Sequence, residues 1–173
     1  MRATVFSVCA AAASLLAIGV ACHADAVAQQ PADAQFDRIA DRYWQILHDN
    51  PRRGTAFERW YAHYHDAGRG AELVELIERR AQHNADFATQ MLLGFVYEQL
   101  NRVDDARAAY AAAENIDGTQ YIAPASLGHI CIRERQFSKA AEWLSRALQR
   151  DPPPRDALAL YEHLGRTRLR LGQ

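Results

Sequence analysis

The chain is short of cysteine, of any surplus charge and of long apolar runs, and each shortage closes off a class of protein. Its 173 residues include three cysteines, at positions 9, 22 and 131. Two of them precede residue 29, so a chain trimmed there keeps Cys131 alone. It then has no internal disulfide and must hold together by packing. Twenty Lys and Arg stand against 21 Asp and Glu, a formal net charge of -1. That balance gives no electrostatic reason to expect nucleic acid as a partner. No segment of useful length alternates apolar and polar residues with period two, and β-branched residues are few, which argues against a sheet. The sequence also lacks a G-x-S-x-G elbow, a Gly-rich phosphate loop and a C-x-x-C pair.

The amino terminus does carry a signal. Arg2 is followed by an apolar run from about Val5 to Ala21 and then by small residues at Ala26 and Ala28. This is the layout of a secretory signal peptide over residues 1–28, cleaved after Ala28 or, alternatively, near Ala24. The run is too short for a comfortable membrane span, and nothing later approaches one. Gly19-Val20-Ala21-Cys22 is a looser match to a lipoprotein site, which would anchor the protein through Cys22. The expectation is an exported protein, periplasmic or secreted, of roughly 145 residues, enough for one domain with a core.

From residue 33 onward apolar residues recur at three and four, with breaks at Pro and Gly, which is the helical period. The first stripe is Phe36, Ile39, Tyr43, Ile46 and Leu47, ending at Pro51. The pattern predicts helices over 33–49, 54–67, 70–83, 87–100, 103–116, 120–134, 137–150 and 155–171. Gly68, Asn101 and Gly118 sit where a left-handed C-cap is favoured. Asp104 and Ser138 are candidate N-caps. Helices near fourteen residues with short connections describe antiparallel hairpins, and the fold expected is all-α.

The helices are also self-similar. Leu93, Gly94, Tyr97, Ala106, Tyr110, Ala113 and Gly118 advance by 34 onto Leu127, Gly128, Cys131, Ala140, Leu144, Ala147 and Pro152. A period of 34 with two helices per unit is a repeat signature. Moving up by 33, Trp60, Tyr61 and Tyr64 fall on the slots of Leu93, Gly94 and Tyr97. Ile39, Tyr43 and Ile46 reproduce the spacing of Ala106, Tyr110 and Ala113, so residues 33–50 read as a solitary second helix. Leu164-Gly165 restarts the first-helix pattern near the carboxyl end, after a three-residue insertion around Pro152-Pro153-Pro154.

Leu-Gly-x-x-Tyr on one helix, small-x-x-x-aromatic-x-x-Ala on the next and a closing Gly or Pro resemble the tetratricopeptide repeat. The resemblance implies an α-solenoid of helix hairpins wound as a right-handed superhelix. Its units would be an amino-terminal segment (29–53), a degenerate repeat (54–86), two repeats (87–120 and 121–154) and a half-repeat or cap (155–173). It also implies a concave groove lined by the first helix of each unit. By the family's spacing, that groove receives Glu58, His65 and Asp66, then Met91, Phe95, Glu98 and Gln99. Beyond them come His129 and Arg133, and last Arg166 and Arg170. Met91 and Phe95 form the expected apolar anchor for a protein or peptide ligand, with acids on one side and Arg on the other. The Lys and Asn that some family members use to clamp a terminal carboxylate are replaced here by Glu58, Ala62, Met91, Phe95, Ala125 and His129.

The richest local cluster is Arg59-Trp60-Tyr61-Ala62-His63-Tyr64-His65-Asp66. On a helix His63 and His65 lie roughly 200° apart and cannot share a metal. No two histidines have the four-residue spacing of a helical zinc site. Trp60 and Tyr64 fall on core slots, while Tyr61 fits worst, a ring where the other repeats have Gly: either that hairpin is splayed or the register shifts by a residue. Cys131 also falls on a core slot, so no nucleophile is expected there. The reading is a non-catalytic, exported scaffold or adaptor without cofactor or metal. The competing readings are a hydrolase using His65, Asp66 and His129, and an amino-terminal piece of a longer, possibly enzymatic, exported protein.

Overall fold

The computed structural model describes residues 17–172, with side chains placed from residue 33 onward. The first sixteen residues of the expected signal peptide, and the side chain of Cys22, lie outside the described residues. Eight helices are described: α1 (Ala17–Asp49), α2 (Thr55–Asp66), α3 (Gly70–His83), α4 (Phe87–Gln99), α5 (Val103–Ile116), α6 (Ile122–Arg133), α7 (Phe137–Leu148) and α8 (Pro154–Arg170). Seven agree with the periodicity to within two residues at each end. The exception is α1, which begins sixteen residues before the expected start; that stretch is rich in Ala, the strongest helix former. Two units are distinguished, Met1–Asp41 with the earlier part of α1, and Arg42–Gln173 with its end and α2–α8.

Within the second unit the repeat is written in the backbone hydrogen bonds. At the end of α2, Gly68 N donates to His65 O and Arg69 N to Tyr64 O, at 2.9 and 2.8 Å. At the end of α4 the same pair runs from Asn101 to Glu98 and from Arg102 to Tyr97, and at the end of α6 from Arg135 to Ile132 and from Gln136 to Cys131. Gly68, Asn101 and Arg135 hold the left-handed conformation this cap requires, with φ of 70°, 58° and 60°. Each cap leads at once into the N-cap of the next helix, at Arg69, Arg102 and Gln136. Gly118 does not take the left-handed role expected of it; Asp117 instead turns the chain by accepting bonds from the amide and hydroxyl of Thr119. Asp104 and Ser138 lie inside their helices rather than at the caps, whereas Asp86 caps α4 by accepting from Thr89 N at 2.7 Å.

Packing follows from two glycines. A Cβ added at Gly94 of α4 would overlap the ring of Tyr110 on α5, and one at Gly128 of α6 would stand 2.9 Å from Leu144 Cδ2 on α7. Both large side chains are fully buried, so each hairpin closes by seating a side chain of its second helix on bare backbone of its first. Ala106, Ala113, Ala140 and Ala147 are also at 0% exposure, as close helix approach requires.

Hairpin α2/α3 is different. Trp60 and Tyr64 are core, at 0% and 3% exposure, with Phe57 beside them at 1%. Tyr61 is half-buried between Phe57 and His65, with ring centroids at 6.3 and 6.2 Å. It displaces no register. Instead α2 and α3 share the slightest interface of the three hairpins, so the bulky ring sits where the pair is splayed. In α1 the inward residues of the second unit are Trp44 and Leu47, while Ile46, expected in the apolar stripe, is 48% exposed.

Gly94→Ala is expected to destabilise the chain by about 1–3 kcal/mol, because the buried Tyr110 ring has no room to yield. Gly165→Ala in α8, where no atom of the described residues lies within 4 Å of the added Cβ, should stabilise it by about 0.5–1 kcal/mol through helix propensity. Urea denaturation at low protein concentration checks both, and equal effects at the two positions would contradict the packing role of Gly94.

Candidate functional site: a basic groove along α4, α6 and α8

The first helices of the hairpins place their side chains along one surface. It includes a cavity of about 210 Å3 whose wall includes Arg53, Phe95, Tyr121, Ser126, His129 and Ala159. Beside it lies a larger recess of about 560 Å3 among Arg133, Arg135, Phe137, His163, Arg166 and Arg170. His129 on α6 and His163 on α8 meet where the two adjoin, ring centroids 4.7 Å apart and edge to face.

Glu98 organises the cavity. Its side chain is only 6% exposed, and a buried carboxylate requires partners. Arg133 Nη2 forms an ion pair with one oxygen at 2.9 Å; Arg53 and the Tyr110 hydroxyl donate to the other, the latter at 2.6 Å. Arg53 Nη2 also donates to the Tyr110 oxygen at 3.2 Å, and its guanidinium lies 5.2 Å from the Phe95 ring centroid. Burial raises the Tyr110 phenol well above its ordinary value, although Arg53 and Arg133 oppose this, so it stays a donor. Burial lowers the Arg53 guanidinium, but not enough to discharge it. Two cations around one carboxylate leave the cavity with a positive surplus.

His129 responds to that surplus. Desolvation, then His163, Arg53 and Arg133, lower its pKa to about 4, although part of the ring remains open to solvent. At neutral pH the ring is uncharged and offers both a donor and an acceptor. A second anchorage lies at the cavity rim, where Asp156 of α8 accepts from the Tyr121 hydroxyl and from Arg52 Nη1, the latter at 3.1 Å. Burial and the Asp156 bond raise Tyr121 to about 12.

The basic recess holds four arginines and no acidic lining residue. Arg133 turns to Glu98 and Arg166 to Glu162, one helical turn away. Arg135 and Arg170 have no acidic partner among the described residues. The recess therefore presents uncompensated cations on a partly apolar floor, which suits carboxylates.

These positions revise the expected groove. Arg133, Arg166 and Arg170 are brought together as expected, and His129 stands next to them. Met91 and Phe95 are not open anchors: they are 0% and 1% exposed. Phe95 is held by Phe57 at 5.5 Å and Tyr110 at 5.8 Å, with Arg53 stacked on its outer face, so it forms a floor rather than a handle. Glu98 is likewise withdrawn, as the hub just described. Glu58, His65, Asp66 and Gln99 are exposed and border neither recess. His65 and Asp66 contact only each other in charge, at 3.6 Å, while the ring that His129 meets is His163. The hydrolase arrangement is thus not assembled. Cys131 is buried, and burial pushes its thiol up, away from nucleophilic use. No group of three metal-binding side chains occurs among the described residues.

Sequence reasoning missed Arg53, Arg135 and His163. The first two lie outside the helices that carry the groove, in the connection before α2 and the turn after α6. His163 was in plain view, one turn before Thr167, whose hydroxyl donates to the His163 carbonyl at 2.7 Å.

A family model for the tetratricopeptide repeat matches residues 88–120, the α4/α5 hairpin. Among solved structures, the crystal structure of MamA superposes with a TM-score of 0.58 at 16% sequence identity, over 83% of this chain and 83% of that one. No curated protein matches the chain in sequence. Residues 88–120 are a tetratricopeptide repeat, and the helices around them have the tetratricopeptide-like hairpin fold.

Because His129 is depressed in the folded chain, the unfolded state binds the extra proton first. Stability from this group is complete above pH 6.5 and is lost as pH falls toward 4. Wild type should therefore lose more stability than His129→Gln between pH 7 and 4 in thermal melts. Parallel profiles would show that the ring is not desolvated.

Proposed function

We propose that this chain is an exported, non-catalytic adaptor that takes an acidic protein or peptide segment along the basic groove of α4, α6 and α8. The tetratricopeptide repeat at 88–120 supports a protein partner, since this fold serves as an interaction scaffold. No described helix is long and apolar enough to cross a membrane. Residues 54–86 and 121–154 are read as further repeats, on the recurring caps and on Leu144 packed at Gly128.

The observation that carries the reading is the recess ringed by Arg133, Arg135, Arg166 and Arg170 with no acid in its wall. A run of Asp or Glu laid there meets cations carried by α6, by the turn after it and by α8. The cavity floored by Phe95 and walled by Ile122 and Ala159 then accepts a neighbouring apolar side chain. Neutral His129, beside both recesses, supplies a hydrogen bond without adding repulsion. The signal-peptide layout of residues 1–28 supports a partner met outside the cytoplasm.

Selection from a random peptide library on the purified chain should enrich Asp and Glu next to an apolar residue. Arg135→Glu with Arg170→Glu should weaken the selected peptides at least about tenfold, or about 1.4 kcal/mol, as should raising the salt. Selection of neutral or basic peptides, or affinity indifferent to the charge reversals, would contradict the reading. Intact-mass measurement of the same preparation checks export, with Gln29 as the expected first residue.

A further inference from the structure

Helices α6 and α8 run side by side in the same direction, which gives the groove between them an order. Tyr121, the N-cap of α6, bonds to Asp156 in the first turn of α8. Midway, His129 meets His163. Arg133, in the last turn of α6, shares the basic recess with Arg170 at the end of α8. The cavity therefore lies toward the amino ends of the pair and the basic recess toward the carboxyl ends. From Asp156 to Arg170 the helix rises about 21 Å.

The amino-terminal end of the groove has a cation of its own. Arg52, in the connection before α2, lines the cavity with its guanidinium 5.8 Å from the Tyr121 ring centroid. Asp156 answers it at 3.1 Å while also accepting from the Tyr121 hydroxyl, so three elements meet at the cavity rim. Among the described residues, Asp156 is the one carboxylate that lines either recess. The neighbouring Arg53 is committed to Glu98, whose side chain is only 6% exposed. Arg52 and Asp156 are held more loosely, their side chains 43% and 34% exposed. An ion pair so open to water contributes little to stability, and an outside carboxylate replaces one member at small cost.

We propose that Arg52 is a second anion subsite of the groove, occupied in the free chain by Asp156 and given up to a carboxylate of the bound segment. This subsite rests on the acidic-peptide reading and narrows it: acids stand at both ends of the segment, and an apolar side chain between them enters the cavity. The two cationic ends lie about 20 Å apart, a distance that about seven extended residues span.

Fluorescence anisotropy with three synthetic peptides, blocked at both termini, tests it. Glu-Glu-Ser-Leu-Ser-Glu-Glu presents acids to both ends of the groove in either direction of docking, and the other two carry Gln for Glu at one end or the other. Asp156→Asn, which keeps an acceptor for Tyr121, should bind the two-ended peptide at least about threefold more tightly than wild type does. The one-ended peptides should stay within about twofold, because their acids go to the richer recess. Adding Arg52→Gln should remove the gain. Asp104→Asn deletes the same charge from exposed α5 and should leave all three affinities unchanged. Asp156→Ser replaces Asp156→Asn if circular dichroism shows lost helix. No gain, an equal gain for all three peptides, or a gain that survives loss of Arg52 would overturn the subsite and leave the acidic-peptide reading standing. Failure of wild type and variant alike to bind any of the three would contradict both.

Discussion

The contact on which the second unit depends is the Tyr110 ring laid across bare backbone at Gly94, with its hydroxyl donating to Glu98 one turn further along the same helix. The ring sets how closely α4 and α5 approach, and the hydroxyl fixes where the Glu98 carboxylate points. Glu98 in turn draws in Arg53 from the connection before α2 and Arg133 from the end of α6. One side chain thus ties a packing distance to an arrangement of charge. Removing either partner from so buried a carboxylate is costly, because the charge that remains has lost the bonds that offset its desolvation.

That hub also makes the groove basic. Glu98 satisfies Arg53 and Arg133 together but neutralises only one of them, and Arg135 and Arg170 add charge that no acid among the described residues answers. His129 between the two recesses stays neutral because burial, and then the cations already held beside it, oppose another charge there. The groove therefore combines a positive field with uncharged hydrogen-bonding groups, a combination that favours acidic ligands through attraction and orientation more than through apolar burial.

Helix positions, hairpin pairing and the two glycine seats were legible in the sequence because they depend on spacing alone: a 34-residue period repeats Leu93-Gly94 at Leu127-Gly128 and Tyr110 at Leu144. Side-chain exposure was less legible. Met91 and Phe95 occupy slots that generic repeats leave open, but α4 is packed on both flanks, and the aromatic side chains of Phe57 and Tyr110 cover Phe95. The cap at Arg135 escaped notice because left-handed backbone is expected of Gly or Asn, not Arg. Arg53 escaped because its role comes from a contact 45 residues away in sequence. The Arg133, Arg166 and Arg170 cluster was legible, since helical phase alone carries those three to one face.

The most direct test of the central contact is a double-mutant cycle on Tyr110→Phe and Glu98→Gln, followed by urea denaturation. If the hydroxyl and carboxylate act as one unit, the two losses fall short of or exceed additivity by about 0.5–3 kcal/mol. Losses that add to within about 0.3 kcal/mol would show that ring packing and charge are independent, and that the groove does not depend on the Gly94 seat.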